Sequence, residues 1–182
     1  MQTTTRLLDA AEKRMRKGGY NAVSFRDLAE DTNIKSSSVH YHFPKKEDLG
    51  SALVLRYAEN FFTALEEEAR NATTPSEKLD AYARVYRTAL GDGTNCLCGL
   101  LGAEMGGLPD TLANHVRSFF EKNAGWLEDA LPQTFSPEKR KKTAYALLAA
   151  HQGGMMLSAS MKDHSLFDAI SSTASKQALA TG

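Results

Sequence analysis

Residues 24–49, SFRDLAEDTNIKSSSVHYHFPKKEDL, predict two short helices joined by a tight turn, followed by the charged start of a third. Ser24 with Asp27 three residues on resembles a capping box, Asp standing in for the usual Glu or Gln, so a helix should begin near Phe25. Phe25, Leu28 and Ala29 fall on one apolar face, and this helix should end near Asp31. Thr32-Asn33 supplies the turn, because Asn tolerates the left-handed backbone that Gly more often takes there. A second helix starts at Lys35 or Ser36, and its only strongly apolar positions before Phe43 are Ile34 and Val39. Ser36, Ser37, Ser38, His40, Tyr41 and His42 are short hydroxyls, imidazoles and a phenol, which hydrogen-bond to phosphates and base edges. Pro44 stops that helix, and Lys45-Lys46-Glu47-Asp48 opens the next, where backbone N–H groups and a lysine together suit a phosphate. A small, polar, rigidly mounted helix face fits the major groove of double-stranded DNA.

The flanking chain braces this unit. From Thr4 to Lys17, Leu7, Leu8, Ala11 and Met15 recur at helical spacing, and Gly18-Gly19 ends the helix. Its basic residues Arg6, Lys13, Arg14, Arg16 and Lys17 suit either a solvated face or phosphate contact. At 182 residues and 42% hydrophobic content, the chain can bury a real core. It has no apolar run of signal-peptide or membrane-span length, and its two cysteines form no disulfide framework, so a cytoplasmic protein is expected. The formal net charge is zero. Residues 1–48 carry nine Lys/Arg against seven Asp/Glu, too small an excess for bulk charge to drive DNA binding. Affinity must come from placed contacts and should still fall with salt.

These residues resemble the TetR family of bacterial transcriptional regulators, whose DNA-binding region reads GY…TS-x-R-D-[IL]-A…[VI]-S-x-G-S-[LV]-Y-x-[YH]-F-x-[SN]-K-E-[DE]-L. Gly19, Tyr20, Ser24, Arg26, Asp27, Leu28, Ala29, Ile34, Ser38, Val39, His42, Phe43, Lys46, Glu47, Asp48 and Leu49 stand at matching places. Lys35 replaces the usual Ser, Ser37 the usual Gly and His40 the usual Tyr, so the base-reading surface is partly individual. The resemblance covers about the first third of the chain. It implies an all-α protein with a three-helix helix-turn-helix domain at 1–48 and a helical effector-binding and dimerisation domain at 49–182. The DNA-contacting set is Ser24, Lys35, Ser36, Ser37, Ser38, His40, Tyr41, His42 and Lys46, with Ser24, His42 and Lys46 toward phosphates.

The rest of the chain reads as helices without period-2 alternation, so no sheet is expected. A long amphipathic helix runs from after Pro44 to about Ala69. Ser76 should cap the next, Gly91–Asn95 should break it, and helices follow at about Cys96–Gly106, from Pro109 through Leu131, at 137–161 and at 166–180. Only the terminal residues are expected to fray. Residues 143–161, TAYALLAAHQGGMMLSASM, mix small side chains with Leu and Met, a composition suited to close helix approach. In a protein resembling the TetR family the last two helices imply a homodimer, two reading heads meeting a pseudo-palindromic operator; an intrachain core is the alternative.

An effector pocket is expected among Phe62, Tyr82, Tyr86, Cys96, Glu104, Met105, Phe119, Trp126, His151, Gln152 and Met155, with Tyr145 and His115 as further candidates. The stretch CLCGLLGAEMGGLP at 96–109 is similar to a C-x-L-G-x-x-x-x-E pattern of one TetR subgroup, with Cys96 and Glu104 as its Cys and Glu. The function expected is a repressor released from DNA by a small-molecule effector, with no membrane partner and no cofactor. One alternative is thiol-based sensing through Cys96 and Cys98, although one intervening residue strains a disulfide between them. Another is a small helical enzyme using Glu104, His115 or His151, for which no phosphate loop, nucleophile elbow or metal-binding His pair is present. A third is a DNA-binding protein with a filled core and no effector. No metal site is expected, since the cysteines lack a second ligand pair.

Overall fold

The computed structural model describes residues 2–91, 93 and 95–180. Of the predicted break at 91–95, Asp92 and Thr94 lie outside the described residues, as do Met1, Thr181 and Gly182 at the ends. The described residues form only helices and their connections: α1 (Gln2–Gly18), α2 (Phe25–Thr32), α3 (Ser36–His42), α4 (Lys46–Ala69), α5 (Pro75–Gly91), α6 (Leu97–Gly102), α7 (Asp110–Ala130), α8 (Pro137–Met161) and α9 (Ser165–Ala180). Single turns of 3-10 helix lie at Tyr20–Ala22 and Met105–Gly107.

Local chemistry sets the boundaries. Ser24 caps α2, its Oγ accepting from Asp27 N–H at 3.1 Å. Asn33 closes α2 in the left-handed conformation at φ 51°, ψ 50°, its N–H returning to the carbonyls of Ala29 and Glu30. The cap of α5 differs from expectation. Thr74, rather than Ser76, takes the N-cap place: its Oγ1 accepts from Glu77 N–H at 3.3 Å, while Glu77 Oε2 accepts the N–H groups of Thr73 and Thr74 at 2.8 and 2.9 Å. That reciprocal pair needs Glu three residues after the cap, which Thr74 has and Ser76 lacks, and Pro75 then falls at the first helical position. Four hydrogen bonds from Thr73 and Thr74 pull the Glu77 carboxyl down to about 2. The helix expected over Cys96–Gly106 is shorter, ending at Gly102 and followed by the 3-10 turn, because Gly102, Gly106 and Gly107 weaken a continuous helix there.

The chain divides into two compact units, the described residues within Met1–Glu59 with Leu97–Ser118, and those within Asn60–Cys96 with Phe119–Gly182. The division therefore falls inside α4, eleven residues beyond the boundary expected at 48, and inside α7. In the first unit, Leu7, Ala11, Met15, Leu28, Val39, Leu49 and Leu53 are fully buried. Burying one such Leu contributes roughly 1.5–3 kcal/mol relative to leaving it exposed. Polar contacts fix the edges. Arg14 holds Asp31 through Nε (2.5 Å) and Nη2 (3.0 Å), Arg6 donates to the Thr32 carbonyl, and Arg56 of α4 reaches Asp9 (2.7 Å) and Glu12 (3.0 Å) on α1. Arg16 bonds Glu12 one turn away, so three of the basic residues on α1 are engaged inside the unit. The Arg56 pairs explain why α4 belongs to this unit past residue 48.

The second unit packs α5 against α8 and α9, and α8 against α9. Ser136 caps α8 by accepting from Lys139 N–H, and Lys162 ends it in the left-handed conformation at φ 54°. Its core is aromatic: Phe61 makes edge contacts with Tyr82, Tyr86 and Phe119, at centroid separations of 6.3, 5.3 and 5.2 Å. No helix among the described residues is long and apolar enough to cross a membrane.

Candidate nucleic-acid interface

Helix α3 buries one side chain and exposes most of the others. Val39 is fully buried, while Ser36, Ser37, His40 and Tyr41 are exposed, Tyr41 to 84%. An isolated phenol at such exposure, on a helix of seven residues, contributes nothing to the fold's core. Ser38 and His42 are half-buried, and Lys35 is exposed at the N-cap. Two ring contacts orient the histidines. His40 stands edge-on to Phe25 of α2 at 4.7 Å, and His42 edge-on to Tyr41 at 5.4 Å. The His42 Nδ1 also lies 3.2 Å from Thr4 Oγ1, tying the end of α3 to the first turn of α1. Thr3, Ile34, Ser37, Ser38, Tyr41 and His42 line one surface depression. Thr3 and Thr4 were outside the predicted set; the run of threonines at 3–5 on a polar helix start was the signal available.

The flanking candidates are placed differently. Ser24 is exposed, its hydroxyl engaged with Asp27 as a cap. At the start of α4, Asp48 Oδ2 accepts Lys45 N–H at 2.9 Å and Lys45 Nζ pairs with Glu47 at 3.2 Å. Lys46 is half-buried, with Nζ 4.3 Å from the centroid of the Tyr20 ring. Burial pushes its amine down from the ordinary lysine value, and the charge of Glu104 opposes that shift. Lys46 therefore turns partly into the unit, whereas Lys35 stands clear of it.

Of the residues expected around an effector, the second unit brings together Tyr82, Tyr86, Cys96, Phe119, Trp126, His151 and Gln152. Tyr82 OH donates to Asn123 Oδ1 at 2.8 Å and lies 3.2 Å from Tyr86 OH. Gln152 Nε2 donates to Tyr86 OH at 3.0 Å and to Cys96 Sγ at 3.5 Å. Phe62 is half-buried beside Phe119, and Met155 is buried one turn after His151. Asn123, fully buried and donating to the Phe119 carbonyl, was not predicted, although its i+4 spacing from Phe119 puts it on the apolar stripe of α7. His151 Nδ1 sits 2.8 Å from the Leu147 carbonyl, so Nδ1 carries the proton and Nε2 accepts from Ser171 Oγ at 3.0 Å. Burial pushes the His151 pKa down and raises that of the Tyr82 phenol, so both stay neutral. Both thiols are buried. Tyr145 is 47% exposed, and Glu104, Met105 and His115 belong to the first unit. Among the described residues no group of three or more His, Cys, Asp or Glu side chains is arranged to hold a metal.

Glu104, expected to line the effector pocket, instead meets the residues that follow α1. Its Oε2 accepts the Tyr20 N–H at 2.9 Å, and its carboxylate occupies the space above Gly19, whose φ is +75°.

Comparison with known proteins agrees with this geometry. The profile of "Bacterial regulatory proteins, tetR family" matches residues 7–53, which contain α2, α3 and the start of α4. Transcriptional regulator AcuR of Cereibacter sphaeroides is 28% identical over 109 residues, covering 57% of this chain but only 49% of AcuR, so the chain matches about half the length of that relative. The HTH-type transcriptional regulator LmrA of Bacillus subtilis is 26% identical over 87% of each chain. A crystal structure of a TetR transcriptional regulator from Legionella pneumophila superposes with a TM-score of 0.87 at 29% identity, covering 94% of this chain and 95% of that one. The capped α2, the left-handed Asn33 and the exposed polar α3 all lie inside the stretch that matches the tetR family of bacterial regulatory proteins, and over most of its length the chain is similar to regulators of that family.

Proposed function

We propose that this protein is a DNA-binding transcriptional repressor, a homodimer that leaves a pseudo-palindromic operator when a small-molecule effector binds its helical region. The observation that carries the reading is α3: a helix with Val39 as its one fully buried side chain and with Ser36, Ser37, His40 and Tyr41 exposed. Ser37, His40 and Tyr41 read base edges, while Ser24, Lys35, His42 and Lys46 face phosphates. Residues 1–48 do the reading, and residues 49–182 serve dimerisation and effector binding.

Dimerisation through α8 and α9 is supported by the surface of α8. Tyr145, Met156, Leu157 and Met161 are exposed at 47, 62, 44 and 65%, large apolar groups along one helix that a second copy would cover. The small residues have a partly intrachain use, since a Cβ on Gly154 would come within 3.2 Å of Phe167 on α9. The effector region is the neutral cluster around Tyr82, Tyr86, Asn123 and Gln152, whose hydroxyls and amides suit an uncharged polar or aromatic molecule. Release requires that the effector bind the DNA-competent and incompetent arrangements unequally.

Fluorescence anisotropy of the full chain with duplex from its own upstream intergenic region, at two salt concentrations and with scrambled competitor, tests the reading. The expected result is preferential binding that weakens with salt. Ser37→Ala or Tyr41→Ala should change which sequence is preferred by roughly 1–3 kcal/mol per lost base contact, while Lys35→Ala should weaken all duplexes alike. No preference for any duplex, including one selected from random sequences, removes the repressor function.

A further inference from the structure

Glu104 was expected to look into an effector pocket, yet it belongs to the first unit and meets the joint between α1 and α2. Three observations converge on that joint. The Tyr20 N–H, the first after the positive-φ glycine, has Glu104 Oε2 as its acceptor at 2.9 Å. A Cβ placed on Gly19 would lie 1.7 Å from Glu104 Oε1, so the carboxylate fills the notch that a glycine leaves. On the other side of the same tyrosine, Lys46 Nζ stands over the ring at 4.3 Å and feels the Glu104 charge. One carboxylate from the 96–109 stretch thus touches the end of the brace helix directly and the start of α4 through Tyr20 and Lys46. Between those two ends lie α2 and α3.

We propose that Glu104 is a positioning residue for DNA reading: by accepting the Tyr20 N–H and seating on Gly19, it holds the joint that aims α2 and α3. The proposal rests on the DNA-reading function above. Its energetic basis is occupancy. A reading helix of which only a fraction is correctly aimed binds with its affinity reduced by that fraction. A hydrogen bond to an ionised carboxylate is strong enough to set such a fraction to about ten to one. Glu104 faces the protein and not the phosphates, so its removal should alter how often the head is aimed, not how many phosphates it neutralises.

The test uses the full-length chain and the variants Glu104→Gln, Glu104→Ala and Glu104→Asp. Gln keeps an acceptor oxygen at the same reach, Ala removes it, and Asp keeps the charge but falls one methylene short. Without DNA, exchange of the Tyr20 amide hydrogen should quicken in Ala and Asp and stay near wild type in Gln. With the preferred duplex, Ala and Asp should bind about tenfold more weakly, Gln within about threefold, and the dependence of log affinity on log salt should keep its slope in all. Should Ala fail to fold, Asp and Gln still give opposite expectations. Equal behaviour of Asp and Gln overturns the proposal, as does wild-type affinity in Ala or a changed salt slope. A wild-type chain with no duplex preference overturns the DNA-reading function and Glu104's role in it together, whereas a preference kept by every variant overturns the Glu104 role alone.

Discussion

The two units differ in the polar chemistry that holds their helices together. In the first, the fastenings are charged and lie near water: Arg14 with Asp31 and Asp27, Arg56 with Asp9 and Glu12, and Glu104 on the Tyr20 N–H. The second has surface ion pairs too, Arg87 with Asp168 and Arg84 with Glu68, but adds neutral, buried fastenings: Tyr82, Tyr86, Asn123 and Gln152 in one chain of hydrogen bonds, and Leu147, His151 and Ser171 in another. Exposed ion pairs contribute little and are screened by salt, whereas a buried neutral hydrogen bond is costly to break because water cannot replace it. The difference teaches where salt can act: the charged fastenings of the first unit are screened, while the buried neutral bonds of the second are not.

The largest effect should come from Asn123. Asn123→Ala strips Tyr82 OH of its acceptor, removes the side-chain donor to the Phe119 carbonyl and leaves a cavity beside Trp126's stacking partner. Urea denaturation should show a loss of about 2–4 kcal/mol, much the same at low and high salt. A loss under about 1 kcal/mol would mean that the neutral network does not hold the second unit.

His151 comes next, through pH. Burial lowers its pKa in the folded protein below the ordinary 6.5, so the unfolded chain binds the proton more readily. Its contribution is therefore fully present above pH 6.5 and is lost as pH falls below that value towards the depressed folded pKa. The ring faces the rings of Tyr82, Tyr86 and Phe167, the Ser171 hydroxyl and the Leu147 carbonyl, and none of these supplies a charge to stabilise an imidazolium. Stability measured at about pH 7.5 and about pH 5.5 should drop more for wild type than for His151→Gln, each relative to its own value at the higher pH. Parallel losses would assign the acid sensitivity to other groups.

The head was the most legible part of the sequence because its signals are local. Ser24 with Asp27, Asn33, Val39 among hydroxyls and Pro44 each act within four residues, so their consequences for α2 and α3 can be read without knowing the fold. The cap of α5 is local as well: residue type alone favours Ser76, while the reciprocal spacing of Thr74 and Glu77 decides. Asn123 and Glu104 were illegible for a different reason. The partner of Asn123 is 41 residues away, and that of Glu104 is 84 residues away. A glutamate after a Gly-rich segment looks the same whether it meets a ligand or a backbone N–H from the other end of the chain. Gly19 is the one local sign that something approaches there, and a glycine ending a helix has a sufficient local explanation.

The smallest expected effect is also the one that most sharpens the contrast between the units. The Arg56 side chain is 22% exposed and joins α4 to α1 through Asp9 and Glu12, yet its Nε is buried with no hydrogen-bond partner among the described residues. The gain from two ion pairs is thus offset by one stranded donor. Arg56→Ala should cost only about 0.5–1 kcal/mol at low salt. At about 1 M salt, where the screening length falls to about 3 Å, most of that cost should vanish, while the Asn123→Ala loss persists. If both losses respond to salt alike, charged and neutral fastening are not what separates the two units. If only Arg56 responds, raising the salt loosens the reading head and leaves the aromatic unit intact, and weakened DNA binding at high salt then contains a part that arises inside the protein, beyond the release of counterions from the phosphates.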